Sequence, residues 1–170
     1  GSWNHANTSF PSLPGRAYII YGAVKPDSTP NVVIDTPAPP TLQFQEPTGF
    51  GYSGVTVGDV NGDGSSDLVI AQGSDPIRSF PSMGAAFLYL GGKYGGPVPY
   101  AKLTARHFNS PNHGLPQSVA LGGDLNGDGY NDILVQGSWC EPGPPNSCYL
   151  RGGIFIYFGG PRVEYISNHR

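Results

Sequence analysis

Two stretches decide how this chain reads: Asp59-Val60-Asn61-Gly62-Asp63-Gly64-Ser65-Ser66-Asp67 and Asp124-Leu125-Asn126-Gly127-Asp128-Gly129-Tyr130-Asn131-Asp132. Each places oxygen-bearing side chains at positions 1, 3, 5 and 9 of a nine-residue window, with glycine at position 6. A hard divalent cation takes six to eight oxygens at roughly 2.3–2.6 Å. Carboxylates from Asp59, Asp63 and Asp67, the amide oxygen of Asn61 and the backbone carbonyl of Ser65 can converge on one such ion. Asp124, Asn126, Asp128, Asp132 and the carbonyl of Tyr130 repeat the set. Convergence needs a sharp turn, which Gly64 and Gly129 permit because glycine tolerates positive φ. The bland reading is two acidic Asn-Gly turns without metal. Against it, six of the chain's twelve acidic residues fall inside these two windows, where uncompensated carboxylates would repel each other. Two Ca2+ sites are therefore expected; Mg2+ prefers rigid octahedral sites that retain several waters.

Working outward, each window is followed by a second shared block. Gly84-Ala-Ala-Phe-Leu-Tyr-Leu-Gly-Gly92 corresponds to Gly152-Gly-Ile-Phe-Ile-Tyr-Phe-Gly-Gly160, and Gly15-Arg-Ala-Tyr-Ile-Ile-Tyr-Gly22 is a third copy. The period is about 65–69 residues, with insertions absorbed in loops. One period reads strand, acidic turn, strand, long loop, strand, turn, strand: residues 55–58, 67–71, 86–90 and 100–104 in the first full copy. Leu68-Val-Ile70 and Phe87-Leu-Tyr-Leu90 are continuously apolar, as strands covered on both faces are. Four-stranded sheets of that kind, repeated in tandem, are β-propeller blades.

Phe50-Gly51, Ser53, the Gly58-Asp59-Val-Asn-Gly-Asp-Gly run and the Gly-Ala-Ala-Phe-Leu-Tyr strand resemble the FG-GAP repeat, the blade unit of integrin α-subunit propellers and related surface proteins. The resemblance runs from residue 15 to about 160. It departs from the family pattern at Leu115-Pro116, where Phe-Gly is expected, and at residues 71–73 and 136–138, where Gly-Ala-Pro is frequent. It implies an all-β propeller segment over residues 1–170: a partial repeat at about 15–48 and full repeats at about 49–112 and 113–166. The family commonly closes a ring of about seven blades. Two and a half repeats therefore imply a piece of a longer chain, or a partner chain or self-association that completes the ring; the leading Gly1-Ser2 resembles a cloning remnant.

Composition agrees with a turn-rich β protein. Gly (26) and Pro (18) punctuate short apolar runs, while ten Tyr and eight Phe supply surface to bury. No stretch carries a helical apolar period over helix length. A formal charge of −3 argues against nucleic acid, which wants a basic face. No apolar run approaches the ~18 residues of a membrane span. Cys140 and Cys148 flank a Pro-rich heptapeptide; a local disulfide is the favoured reading, over two free thiols or half a metal site, and implies an oxidising compartment.

Alternating turns of an antiparallel sheet put the acidic loops at one end of the blades and residues 73–83 and 137–150 at the other. The resemblance implies that ligands dock at that far end, and Arg78, Phe80 and Trp139 are the candidate contacts. His107 and His113 read as exposed loop residues, and Asn7-Thr-Ser9 is a glycosylation sequon that matters only in a eukaryotic secretory setting. No nucleophile elbow or ordered triad is present. Two functions are expected: a calcium-stabilised, non-catalytic extracellular module that binds a protein or glycan ligand, or the non-catalytic propeller appendage of a larger secreted hydrolase of phospholipase-D type.

Overall fold

The computed structural model describes residues 15–22, 29–37, 50–73, 85–103, 116–143 and 147–165. The strands β1 (Arg16–Ile19) and β2 (Val32–Asp35) form a two-stranded antiparallel sheet. β3 (Phe50–Gly58), β4 (Asp67–Gln72), β5 (Ala85–Tyr89) and β6 (Ala101–Leu103) make a second sheet in the order β3-β4-β5-β6. A third sheet repeats the meander with β7 (Pro116–Gly123), β8 (Asp132–Gly143), β9 (Ser147–Phe158) and β10 (Glu164–Tyr165). Among the described residues the only helical element is one 3-10 turn, Gly92–Tyr94, far too short to cross a membrane. The described residues are all-β, arranged as one two-stranded and two four-stranded antiparallel sheets.

The three sheets stack through the apolar runs. On β4, Ile70 and Leu68 face the first sheet while Val69 and Ala71 face the third. β5 divides the same way: Ala85, Phe87 and Tyr89 turn to the first sheet, Ala86 and Leu88 to the third. Continuous hydrophobicity, not alternation, is what a strand needs when apolar layers cover both of its sides. The register pairs Ile70 with Phe87 and Val69 with Leu88, so each layer is made of cross-strand neighbours. Phe50, the aromatic anchor of the first full repeat, is buried and meets Phe87 edge-on, with ring centroids 6.2 Å apart at 61°. In the second repeat Pro116 opens β7 and is buried, while Leu115, which stands where the phenylalanine is expected, lies outside the described residues.

One expected element is different. Residues 137–150 were expected as a loop, but β8 and β9 pair continuously from Ile133↔Tyr157 to Gly143↔Ser147. Only residues 144–146 lie between the two strands. Of the prolines that suggested a loop, Pro142 stands near the end of β8 opposite Cys148, where one lost donor interrupts little. Trp139 is therefore a strand residue paired with Arg151. Arg78, Phe80, His107, His113 and the Asn7 sequon lie outside the described residues, as does most of the 73–83 segment.

Candidate metal-binding loops

Residues 59–66 join β3 to β4, and residues 124–131 join β7 to β8, at the same end of their sheets. Within each loop the position-1 carboxylate folds back over the turn. Asp59 Oδ1 accepts from the Gly62 and Asp63 N–H groups at 2.7 and 3.2 Å, and Oδ2 accepts from Gly64 at 2.8 Å. Asp124 does the same with Gly127, Asp128 and Gly129 at 2.7, 2.9 and 2.8 Å. The position-3 amide oxygen of Asn61 accepts from Asp63 N–H, and that of Asn126 from Asp128 N–H. Asp63 Oδ1 then accepts from Ser65 N–H at 2.8 Å, and Asp128 Oδ1 from Tyr130 N–H at 3.0 Å. The loops are copies bond for bond.

Glycine makes this possible at two places per loop, one of which composition alone does not single out. Gly64 and Gly129 have φ of 83° and 91°, as their position-6 role requires. Gly62 and Gly127 are also left-handed, at 76° and 80°. Two such residues in succession curl the backbone so that several N–H groups converge on one carboxylate.

The position-9 carboxylates differ from the rest. Asp67 and Asp132 are buried, and each ties three strands together. Asp67 Oδ2 accepts from Val60 N–H and Oδ1 from Gly91 N–H, both at 2.9 Å. Asp132 accepts from Leu125 and Gly159 N–H at 2.7 and 3.0 Å. The start of the loop and the exit of the third strand are thus pinned to the start of the second. The Gly-Gly pairs that end the shared sequence block were the available signal, because a close backbone approach excludes a Cβ. A Cβ at Gly91 would run into the Ser66 carbonyl.

The loops also hold each other. Asn131 Nδ2 donates to the Asp59 carbonyl at 2.9 Å, and Gly160 N–H donates to the Val60 carbonyl at 2.8 Å. The Tyr130 ring lies over Gly62, where a Cβ would approach to 2.5 Å. Val60 is fully buried in the core between the second and third sheets. None of these contacts is visible in the spacing of acidic residues.

Hydrogen bonding to the ionised form keeps two of the carboxyls charged. Asp63 is held below the usual carboxylate range chiefly by the Ser65 N–H. Asp124 is held below it chiefly by the Gly129 N–H, with Gly127 and Asp128 adding to the effect. Among the described residues no three acidic, imidazole or thiol groups stand together as a ready-made metal cluster; the oxygens here are directed at backbone donors. Each engaged oxygen keeps a second lone pair. The donor chemistry of three carboxylates, one amide oxygen and one carbonyl within a single turn fits a hard cation. Beside the second loop, Asn126, Asp128, Tyr130, Phe158 and Arg162 border an open depression of about 470 Å³. It lies at the loop end, away from the far end where ligand contacts were expected.

The side chains of Trp139, Cys140 and Cys148 lie outside the described part of the molecule. Along the ladder, Cys140 stands opposite Leu150 and Cys148 opposite Pro142, so the cysteines occupy diagonal positions on neighbouring strands.

A model of the FG-GAP repeat family matches residues 50–98 and 115–138, which span both loops and the strands around them. Integrin alpha-PS2 of Drosophila melanogaster is 32% identical over 119 residues, covering 66% of this chain and 8% of the relative. Human integrin alpha-7 is 35% identical over 114 residues, covering 66% of this chain and 8% of the relative. Human phosphatidylinositol-glycan-specific phospholipase D is 29% identical over 152 residues, covering 88% of this chain and 17% of the relative. The chain thus spans less than a fifth of the length of these relatives.

Proposed function

Because the chain belongs to the FG-GAP repeat family, we propose that it is a calcium-binding, non-catalytic extracellular propeller module that recognises a protein or glycan ligand. The observation that carries the metal part is the bond-for-bond repetition of two loops with one donor set, at one end of two successive sheets. Asp59, Asn61, Asp63, Asp67 and the Ser65 carbonyl hold the first ion. Asp124, Asn126, Asp128, Asp132 and the Tyr130 carbonyl hold the second. The ion supplies charge compensation for three carboxylates and a tether across the turn; recognition is left to the opposite end. An extracellular setting, where millimolar calcium fills sites of modest affinity, suits exposed loops of this type.

Calcium then adds stability only through the native state, by about RT ln(1 + [L]/Kd), or ~2.7 kcal/mol per site at a hundredfold excess over Kd. Metal-stripped protein should melt at a higher temperature once calcium is restored, and Asp63→Ala and Asp128→Ala should each remove one site's share. A melting curve indifferent to calcium in stripped protein refutes the metal assignment. For recognition, replacing Arg78, Phe80 and Trp139 together by Ala should abolish ligand binding with fold and calcium affinity retained. Loss of binding on changes beside Asp59 or Asp124 instead would put the ligand at the loop end.

A second reading has its own support in the phospholipase D relative, which aligns with 88% of this chain. The segment would then be the non-catalytic propeller part of a larger secreted hydrolase. The complete reading frame separates the two, since only the second requires a catalytic domain on the same polypeptide.

A further inference from the structure

The two acidic loops are not independent turns, because the second is built onto the main chain of the first. Three contacts join them, all falling on residues 59–62. Asn131 Nδ2 donates to the Asp59 carbonyl at 2.9 Å. Gly160 N–H donates to the Val60 carbonyl at 2.8 Å. The Tyr130 ring covers Gly62 and leaves no room there for a Cβ. Gly159 stands where the loops meet: a Cβ on it would lie 2.4 Å from the Asn131 carbonyl and 2.8 Å from the Val60 carbonyl.

Each contact starts beside an oxygen donor of the second loop. Asn131 lies between Tyr130, which offers its carbonyl, and Asp132, which offers its carboxylate. Gly160 follows Gly159, whose N–H is held by Asp132 Oδ1 at 3.0 Å. Whatever fixes Tyr130 and Asp132 therefore fixes the groups that grip Asp59 and Val60. Asp59 is the position-1 donor of the first loop, and its carboxylate gathers the Gly62, Asp63 and Gly64 N–H groups. The linkage runs from the second loop to the first, since the first has the short Ser65 and Ser66 at the positions of Tyr130 and Asn131.

We infer that the two loops bind calcium cooperatively, occupancy of either raising the affinity of the other through Asn131, Tyr130 and Gly160. This coupling rests on the calcium reading proposed above and adds a regulation to it. Ordering a loop costs conformational freedom. Here part of that cost is shared: the first ion orders contacts that belong to both loops, and the second ion meets a turn already held. Electrostatics works in the opposite sense, because an ion in one loop offsets negative charge that attracts an ion to the other. Asp63, Asp124 and Asp128 are exposed, so that opposition is screened, with a Debye length of about 8 Å at physiological salt. The direct contacts are not screened in this way. Cooperative filling completes the loop end over a narrower calcium range than two independent sites would.

Calcium titration of the full, metal-stripped chain tests the coupling, with the Gly64 and Gly129 amide signals followed separately by heteronuclear NMR. In Asp128→Ala the second loop stays empty. The first loop, with its own donors intact, should then bind calcium about fivefold or more weakly than in the wild type, as coupling between sites commonly amounts to at least that. Coupling is reciprocal, so Asp63→Ala should weaken the second loop by the same factor. Asn131→Ser keeps every donor of the second loop and installs the residue that the first loop has at that position. It should still bind two ions, with the coupling factor lowered. Amide signals away from the loops that match the wild type establish that the variants fold. A first loop that binds equally well in the wild type and in Asp128→Ala overturns the coupling and leaves the calcium reading standing. Tighter binding in Asp128→Ala also overturns it, since charge repulsion would then dominate, as does full coupling retained in Asn131→Ser. Loop signals that ignore calcium altogether remove the calcium reading and the coupling together.

Discussion

Asp67 and Tyr89 show two opposite fates for a polar group taken out of water. Asp67 finds a backbone donor for each oxygen, from Val60 and Gly91. Asp67→Ala leaves those two N–H groups orphaned, at about 1–3 kcal/mol each. A loss of that size should appear in denaturant unfolding of metal-free protein, where ion binding cannot contribute. A loss below 0.5 kcal/mol would mean that water replaces the carboxylate without cost. The Tyr89 hydroxyl is buried with no hydrogen-bond partner among the described residues. Burial pushes its pKa from the ordinary 10 up to about 12. The folded-state value lies above the unfolded one, so the stabilising contribution is complete below pH 10 and is lost as pH rises toward about 12. Tyr89→Phe should flatten the fall in stability across that window, and an unchanged alkaline limb would contradict the assignment.

The elements carry the duplication further than single residues do. In both repeats a loop of eight residues is closed at its base by an aspartate that belongs to the following strand, so loop and sheet form together. The β8–β9 hairpin is paired as far as Gly143↔Ser147. The proposed Cys140–Cys148 bridge joins diagonal positions in it. Diagonal Cα atoms lie ~7–8 Å apart, slightly beyond the ~4.4–6.8 Å of disulfides, so a bridge requires added twist near the tip. Intact mass of oxidised, secreted protein should be two hydrogens below that of the reduced form. Quantitative alkylation of two thiols in that material would exclude the bridge. Trp139 belongs to this hairpin as well, which places it on a paired strand instead of a free loop.

For the whole molecule, position in the stack decides what an apolar residue is worth. Val60 and Leu125 occupy the same place in the repeat, yet one is sealed between sheets and the other faces outward. Val60→Ala removes part of the ~1.5–3 kcal/mol that burying such a side chain contributes, with a cavity term added. Leu125→Ala in the monomer should stay within ~0.5 kcal/mol. Equal effects of the two substitutions in dilute protein would contradict the stack order β1–β2, β3–β6, β7–β10.

The acidic windows, the strand that follows each of them and the all-β architecture were legible in the chain because they are local. Nine consecutive residues carry a whole loop, and unbroken apolar runs report burial on two sides without reference to their partners. What the sequence could not announce depends on residues far apart. Asn131 reaching the Asp59 carbonyl, Tyr130 lying over Gly62 and Asp67 pinning Gly91 arise only when sheets stack and strands return to the same end. The Pro-rich tract misled for the same reason. Its local chemistry favours a loop, but pairing along the full length of β9 supplies enough ladder bonds to hold residues 137–143 in a strand. Local propensity determined the units, and the contacts between units, which only the folded arrangement brings into being, decided which of their residues are buried, tied or left facing outward.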